Sequence, residues 1–224
     1  MARKIAQAGS AKGRARLDGI RAAALAVLVE EGYSRLTMRR IAAAAGITVG
    51  NLHYYFANKG DLLRDLLEHV IEGYLREFDG IRARVGQAPA AELEAILRYL
   101  VEDLGNRQTT LFFPELWALA NHDAHAAALL DRLYVRARIV LNELIGALNP
   151  ALTVREREAL ALVASAGIEG LTMFVGHGKP WAGERGLVAD LVVRGYLDLA
   201  RSVPGAAAAR TPRTTRSRKE IRNP

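Results

Sequence analysis

Apolar residues recur every three or four positions through most of this chain, which is the spacing that gathers them on one face of an α-helix. The first such stretch covers residues 14–31 and stops at Gly32, a residue typical of the position just beyond a helix. Runs of β-branched residues bounded by turn residues, which would indicate strands, are scarce. The pattern therefore predicts an all-α protein of about nine helices.

Two short helical segments follow the first helix. One is predicted to begin at Thr37 and to reach Ala45, and the other runs from Thr48 to about Tyr54. Each opens on a threonine, whose hydroxyl can accept a hydrogen bond from an otherwise free backbone N–H. Gly46 separates the two segments and permits the positive φ of a tight turn. This arrangement is typical of a helix-turn-helix motif.

A much longer fourth helix is predicted next, with Asn58 as its N-cap and its end near Val85, before Gly86 and Pro89. A continuous helix that leaves the three-helix head and enters the rest of the chain would link the two parts mechanically. Five more helices complete the prediction, at about residues 90–104, 110–120, 123–148, 153–175 and 186–202.

Charge is distributed unevenly along the chain. Residues 1–60 contain ten Lys/Arg and three Asp/Glu, residues 61–204 contain fifteen and twenty, and residues 205–224 contain six and one. A basic end on a mildly acidic body suggests contact with a polyanion, although a solvated basic surface would have the same composition. The two ends, residues 1–13 and 205–224, are predicted to be disordered basic segments.

The sequence offers no motif for catalysis, metal binding or a membrane span. It has no cysteine, no dinucleotide-binding glycines and no nucleophile elbow. His122 and His125 form a pair without a third metal ligand. No uncharged apolar run approaches the roughly 20 residues of a membrane helix, and the first residues do not read as a signal peptide. We therefore expect a cytoplasmic protein that has no membrane partner, is not an enzyme and uses no cofactor or metal.

The third helix carries side chains suited to a DNA groove. Asn51 and His53 can hydrogen bond to phosphates or base edges, and Gly50 lets the backbone approach the duplex. Thr37 and Lys59 stand at helix N-termini, where backbone N–H groups favour phosphate. The predicted DNA-binding residues are Thr37, Arg39, Thr48, Val49, Gly50, Asn51, His53, Tyr54 and Lys59.

A larger set of residues in and around this motif carries a family resemblance. Over about residues 14–74 the sequence resembles the amino-terminal DNA-binding domain of the TetR (tetracycline-repressor-like) family. Two positions depart from the commonest pattern, since His53 often corresponds to a tyrosine and Gly60 to a glutamate. The matching residues are Gly32-Tyr33, Thr37, Ile41-Ala42, Ala45-Gly46-Ile47, Gly50-Asn51-Leu52, Tyr54-Tyr55-Phe56, Lys59 and Leu62-Leu63.

The resemblance implies a homodimer that binds a palindromic, double-stranded operator and is released by a small-molecule effector. It also implies that residues 75–204 form a helical ligand-binding and dimerisation domain. The alternative left open by the sequence is an effector-independent or architectural DNA-binding protein.

Within that domain, the resemblance directs attention to two sets of residues. Several aromatic side chains are candidates to line a pocket for an apolar or amphipathic effector, although a plain core role would also suit each of them. The last two long helices resemble the pair that forms the family's dimer interface. The pocket candidates are Phe112, Phe113, Trp117, Tyr134, Met173 and Phe174, and the interface candidates are Leu162, Ser165, Ile168, Leu171, Leu191 and Tyr196.

Overall fold

The computed structural model describes residues 11–86 and 88–203, and over these ranges the chain is all-α, as predicted. The predicted disordered segments lie outside the described residues, except for residues 11–13, which are helical and so contradict the prediction. The described residues form nine α-helices: α1 (Ala11–Glu31), α2 (Met38–Ala44), α3 (Val49–Tyr55), α4 (Lys59–Val85), α5 (Pro89–Asp103), α6 (Arg107–Ala120), α7 (Ala124–Leu148), α8 (Val154–Val175) and α9 (Arg185–Ser202).

The predicted N-caps are confirmed by side-chain hydrogen bonds. The Thr37 hydroxyl accepts from the Arg40 N–H at 3.2 Å, and the Thr48 hydroxyl accepts from the Asn51 N–H at 3.1 Å. Asn58 and Asp123 cap α4 and α7 in the same way, and Thr153 forms a capping box with Glu156 at the start of α8.

One helix boundary differs from the prediction for a local reason. Helix α6 begins at Arg107 rather than near residue 110, because the Asn106 side chain accepts the Gln108 N–H at 2.9 Å and caps the helix there. As a result Pro114 lies in the middle of α6 and not in its first turn.

Two apolar clusters form the core. The first joins α1, α2 and α3 to the first half of α4, to α6 and to the start of α7. The second joins the end of α4 to α5, the rest of α7, α8 and α9. Tyr74 and Leu75, near the middle of α4, pack against both clusters. Helix α4 therefore runs from the head into the body as one continuous element.

The head also contacts the body through side chains of α6. The Tyr33 N–H donates a hydrogen bond to the Glu115 carboxylate at 2.8 Å. Arg107 forms a two-point ion pair with Glu30, with Nη2 at 2.8 Å from Oε2. Gly32, which has a φ of 77°, ends α1 beside the Glu115 carboxylate. The loop after α1 is thus held against α6.

His122 and His125 do not belong to a larger group of metal ligands in the described part of the chain. No group of three or more His, Cys, Asp or Glu side chains in the described residues could hold a metal ion. The His125 ring instead lies beside Gly60 at the start of α4, where an added Cβ would be 3.7 Å from His125 Cδ2. That distance is an ordinary van der Waals contact.

Candidate DNA-binding surface and interior cavity

The turn between α2 and α3 fixes the geometry of the two short helices. Gly46 has a φ of 63°, and the Ile47 N–H donates to the Ala42 carbonyl at 3.0 Å. Ile41 and Leu52 are both fully buried in the head. Because Leu52 is the buried position of α3, the neighbouring positions of this short helix face outwards.

The outer face of α3 presents the predicted reading residues. Thr48, Gly50, Asn51 and His53 are exposed, and so are Val49 and Tyr54. The Thr48 hydroxyl accepts one hydrogen bond as the N-cap and keeps its own proton free to donate. A short polar helix exposed on this scale has the dimensions to enter a major groove, which is about 12 Å wide in B-DNA.

The cations around this helix are not equivalent. Arg40 is paired with Glu31, with Nε at 2.9 Å from Oε1. Arg39 is exposed and makes no ion pair within the described residues, so its charge is available. The Lys59 ammonium lies 4.0 Å from the centroid of the Tyr33 ring. That cation–π contact holds the lysine at the edge of the head rather than leaving it to move freely.

An interior cavity of about 60 Å³ lies in the body, between α4, α5, α6, α7 and α8. A wider groove of about 330 Å³ lies beside it. Both spaces are bounded by the same four residues, Tyr74, Asp103, Thr109 and Phe113. These four side chains therefore form the common wall of the two spaces.

Asp103 is fixed in that wall by two hydroxyl groups. The Tyr74 and Thr109 hydroxyls donate hydrogen bonds to its Oδ2 atom, at 2.7 Å and 2.9 Å. Burial, reinforced by the Asp103 charge, raises the pKa of Tyr74 well above its usual range. Tyr74 consequently stays protonated and remains a donor to the carboxylate.

Glu169 reaches the same cavity from α8. The Trp117 indole N–H donates to the Tyr134 oxygen at 2.7 Å, and the Tyr134 hydroxyl is hydrogen bonded to the Glu169 carboxyl. Burial raises the pKa of Glu169 to about 7; the Tyr134 hydrogen bond opposes this shift and the Asp103 charge adds to it. Among the described residues, no lysine, arginine or histidine lines this cavity.

Three of the six predicted pocket residues border these spaces. Phe113 and Tyr134 line the cavity, and Phe112 lines the groove. Trp117 stands behind Tyr134 as its hydrogen-bond donor. Met173 and Phe174 are 54% and 60% exposed on the outer side of α8, so they do not line the cavity, contrary to the prediction. The helical period places Phe174 on the far side of α8 from Glu169, whereas Met173 follows Glu169 by about one turn and lies near the end of the helix.

Two family profiles match consecutive parts of this chain. The profile of bacterial regulatory proteins of the tetR family matches residues 20–66, which include the whole helix-turn-helix. The profile of the carboxy-terminal part of BetI-type transcriptional repressors matches residues 89–201, about half of the chain. The chain belongs to the TetR family. This family consists of transcriptional regulators and not of enzymes.

Individual relatives agree with the family profiles. The HTH-type transcriptional regulator BetI of Burkholderia thailandensis is 28% identical over 151 residues, which are 66% of this chain and 75% of that protein. The regulator YttP of Bacillus subtilis is 28% identical over 97 residues, which are 42% of this chain and 47% of that protein. This chain thus spans about half the length of YttP. The transcriptional regulator SCO7518 of Streptomyces coelicolor A3(2) superposes with a TM-score of 0.60 at 25% identity, covering 80% of this chain and 96% of that chain.

On this TetR-family body, α8 and α9 share an exposed apolar face. Leu162 and Leu191, two of the predicted interface residues, are 52% and 57% exposed there. Leu171 and Tyr196 are half-buried, and the Tyr196 hydroxyl donates to the Val163 carbonyl at 3.1 Å. The large side chains of this face are Leu162, Val163, Met173, Phe174, Leu187, Leu191 and Leu199.

Ser165 and Ile168 do not belong to that face. Both line the interior cavity, and Ile168 is buried. Their assignment to the dimer interface is therefore contradicted by the isolated chain. Both sides of α8 are apolar, so the sequence alone does not distinguish the inner side from the outer side.

The apolar character of α8 has a further consequence. By length and composition alone it is the one helix in the described part of the chain that could cross a membrane. A helix packed inside a soluble protein passes the same test, so this is weak evidence for a span.

Asp103 and Glu169, which border the cavity of the body, are not among the residues predicted from the sequence. A signal for Glu169 was present, since it is the only charged residue between Glu158 and Lys179. A single carboxyl group in so apolar a helix needs a polar partner or a function.

Proposed function

We propose that this protein is a transcriptional repressor that binds a palindromic operator as a homodimer and is released from it by a small molecule. The observation that carries the proposal is the exposed polar face of α3, held on a buried Leu52 in a chain of the TetR family. The protein would act in the cytoplasm, where the operator is.

The residues of the head divide into two roles. Asn51, with the Val49-Gly50 edge of α3, would contact base edges and choose the operator sequence. Thr37, Tyr54 and Lys59 would contact phosphates, together with Arg39, Thr48 and His53 around the same helix. Phosphate contacts supply much of the affinity but carry no sequence information.

A second copy of the chain would cover the apolar face of α8 and α9. Contiguous exposed apolar patches of this kind are rare on monomeric soluble proteins. Paired about a two-fold axis, the four helices would form one interface and present two α3 helices to the DNA. Half-sites about 34–36 Å apart would match this symmetry.

The cavity supports an effector-responsive regulator over a constitutive DNA binder. Helices α4 and α6 both line it, and both also contact or continue into the head. A ligand can shift the heads only if it binds one of their arrangements more tightly than the other. A protein that merely bound DNA would need no polar groups in this interior space.

The proposal is tested by selecting duplexes from a random-sequence library with the purified protein and measuring binding at stated salt. We expect an inverted repeat to be enriched, with binding that weakens steeply between 50 and 200 mM salt. Asn51→Ala should change the enriched sequence, and Glu72→Gln, an exposed change on α4, serves as the control. Absence of any preference over random duplex would refute the proposed regulator.

A further inference from the structure

The interior cavity has an unbalanced charge. Asp103 faces it from α5 and Glu169 from α8, while no basic side chain in residues 11–86 and 88–203 lines it. The guanidinium of Arg138 lies 5.9 Å from the centroid of the Tyr134 ring, but Arg138 lines a separate surface pocket and forms no ion pair with either carboxyl. Two carboxyl groups without a basic partner would repel an anionic ligand.

The hydroxyl groups of the cavity are already used as donors to these carboxyls. Tyr74 and Thr109 donate to Asp103, and Tyr134 is hydrogen bonded to Glu169. A ligand in the cavity therefore meets acceptor oxygens rather than free donors. A group that can donate hydrogen bonds, or that carries a positive charge, fits this arrangement.

Aromatic rings complete the lining. Tyr74 lies 6.5 Å from Phe78 and 6.3 Å from Phe113, measured between ring centroids, and all three rings border the cavity with Tyr134. The faces of such rings attract cations, and the effect strengthens where water is excluded. The hydrocarbon surface of the rings, with Leu133 and Leu141, suits an aliphatic chain.

We propose that the effector bound in this cavity is an organic cation, an alkylammonium ion whose charge lies between Glu169 and Asp103 and whose hydrocarbon part lies against the aromatic rings. This inference rests on the proposed function and narrows the effector from an apolar or amphipathic molecule to a cationic one. The cavity is small, so the ligand would open it towards the adjoining groove, which shares Asp103 and Tyr74. That groove is also lined by Glu77, Arg76 and His69, so the charge of the ligand would stay in the cavity and its hydrocarbon part would extend outwards.

The ionisation of Glu169 gives this site a pH dependence. The groups that border the cavity with it are Asp103 on α5, Tyr74 on α4 and Tyr134 on α7, and the Arg138 guanidinium lies against the Tyr134 ring outside the cavity lining. Burial raises the pKa values of both tyrosines, so they stay neutral, while the arginine stays charged. With a pKa of about 7, Glu169 goes from mostly protonated at pH 6 to mostly ionised at pH 8. Affinity for a cation should rise about tenfold over that interval.

The test uses calorimetric titration with four ligands of equal chain length: hexylammonium, hexyltrimethylammonium, hexan-1-ol and hexanoate. We expect at least one of the two cations to bind about tenfold or more tightly than the alcohol, and hexanoate to bind most weakly. Hexyltrimethylammonium has a positive charge but no N–H donor, so its affinity compared with that of hexylammonium distinguishes recognition by hydrogen bonding from recognition by charge alone.

Glu169→Gln keeps the size of the side chain and removes its charge. It should weaken binding of the cation about tenfold or more, leave the alcohol unchanged, and abolish the rise in affinity between pH 6 and pH 8. Asp103→Asn should also weaken binding of the cation. Glu72→Gln, on the exposed side of α4, should leave the affinities for the cation and the alcohol unchanged. Melting curves of each variant establish that it is folded.

Equal affinities for the cations and the alcohol, or a Glu169→Gln variant that binds the cation as tightly as the wild type, would overturn the inference. The same preparations are assayed on the selected duplex. If the protein binds the duplex but neither cation, the proposed regulatory function is retained and the inference of a cationic effector is wrong. If the cation is bound with the expected dependence on Glu169 but no duplex is, the cavity assignment stands and the regulator is wrong.

Discussion

Arg21 forms ion pairs with two carboxylates that differ in exposure to solvent. Substituting each carboxylate in turn tests how strongly the head is attached to α4. The Arg21 guanidinium forms a two-point contact with Asp65 of α4, at 2.7 and 2.9 Å, and a single contact with Asp18 of its own helix at 3.1 Å. The Asp65 side chain is 11% exposed, whereas that of Asp18 is 61% exposed. The hydrogen bond with Asp65 is the main reason that the pKa of Arg21 is raised.

The two geometries predict very different costs for Asp65→Asn and Asp18→Asn. Breaking a fully buried ion pair costs about 3–5 kcal/mol, and an exposed pair contributes about 0–1 kcal/mol. Arg21 is partly exposed and asparagine keeps one acceptor, so we expect Asp65→Asn to cost about 2 kcal/mol. Asp18→Asn should cost less than about 0.5 kcal/mol. For a chain of this size these values correspond to falls in Tm of about 4–8 °C and about 2 °C or less.

The measurement is thermal unfolding of both variants at one fixed protein concentration, because the stability of a dimer depends on concentration. Binding to the selected duplex is measured in parallel, since Asp65 fixes α1 against α4 and so positions the head. Equal losses of stability in the two variants would refute the reasoning, as would a loss below about 0.5 kcal/mol for Asp65→Asn.

Three other changes test separate parts of the molecule. Lys59→Ala should weaken binding to all duplexes and reduce the salt slope by about 0.9, because one phosphate contact is lost; a changed operator preference would contradict this role. Phe174→Glu, which places a charge on the exposed face of α8, should give a monomer in sedimentation, and an unchanged dimer would locate the interface elsewhere. Glu169 has a raised pKa in the folded state, so its stabilising effect is lost as pH rises. Relative to Glu169→Gln, the free energy of unfolding of the wild type should fall by up to about 1.4 kcal/mol per pH unit between pH 5 and pH 7, as measured by chemical denaturation. The same dependence of unfolding free energy on pH in both proteins would contradict the pKa shift.

The features that the sequence predicts well are those that depend on neighbouring residues. Thr37, Thr48 and Asn58 each cap a helix that begins at the next residue, so the signal and the structure lie within a few positions. The start of α6 differs from the prediction because Asn106, an ordinary N-cap residue, caps the helix three residues before position 110.

The cavity could not be assembled from the sequence for a different reason. Tyr74, Asp103 and Glu169 come from three helices, and only the packing of those helices brings them to one space. Periodicity finds the apolar faces of α8 but not which of them is inside, and so Ser165 was assigned to the outer face. A lone carboxyl in an apolar helix was the one available sign of a polar interior.

Helix α6 connects the cavity to the head through the first apolar cluster and through polar contacts with the end of α1 and the loop that follows it. Phe113 and Thr109 border the cavity, while Glu115 accepts the Tyr33 N–H at 2.8 Å on another face of the same helix. A ligand that displaces the cavity wall must therefore move the helix that carries this acceptor. A hydrogen bond to a charged group contributes about 1.5–3 kcal/mol, and this amount corresponds to about a 10- to 150-fold change in the ratio of two conformations. That range is typical of the coupling between two ligand sites, so the Tyr33–Glu115 contact alone is strong enough to carry a substantial part of an effector's influence on the head.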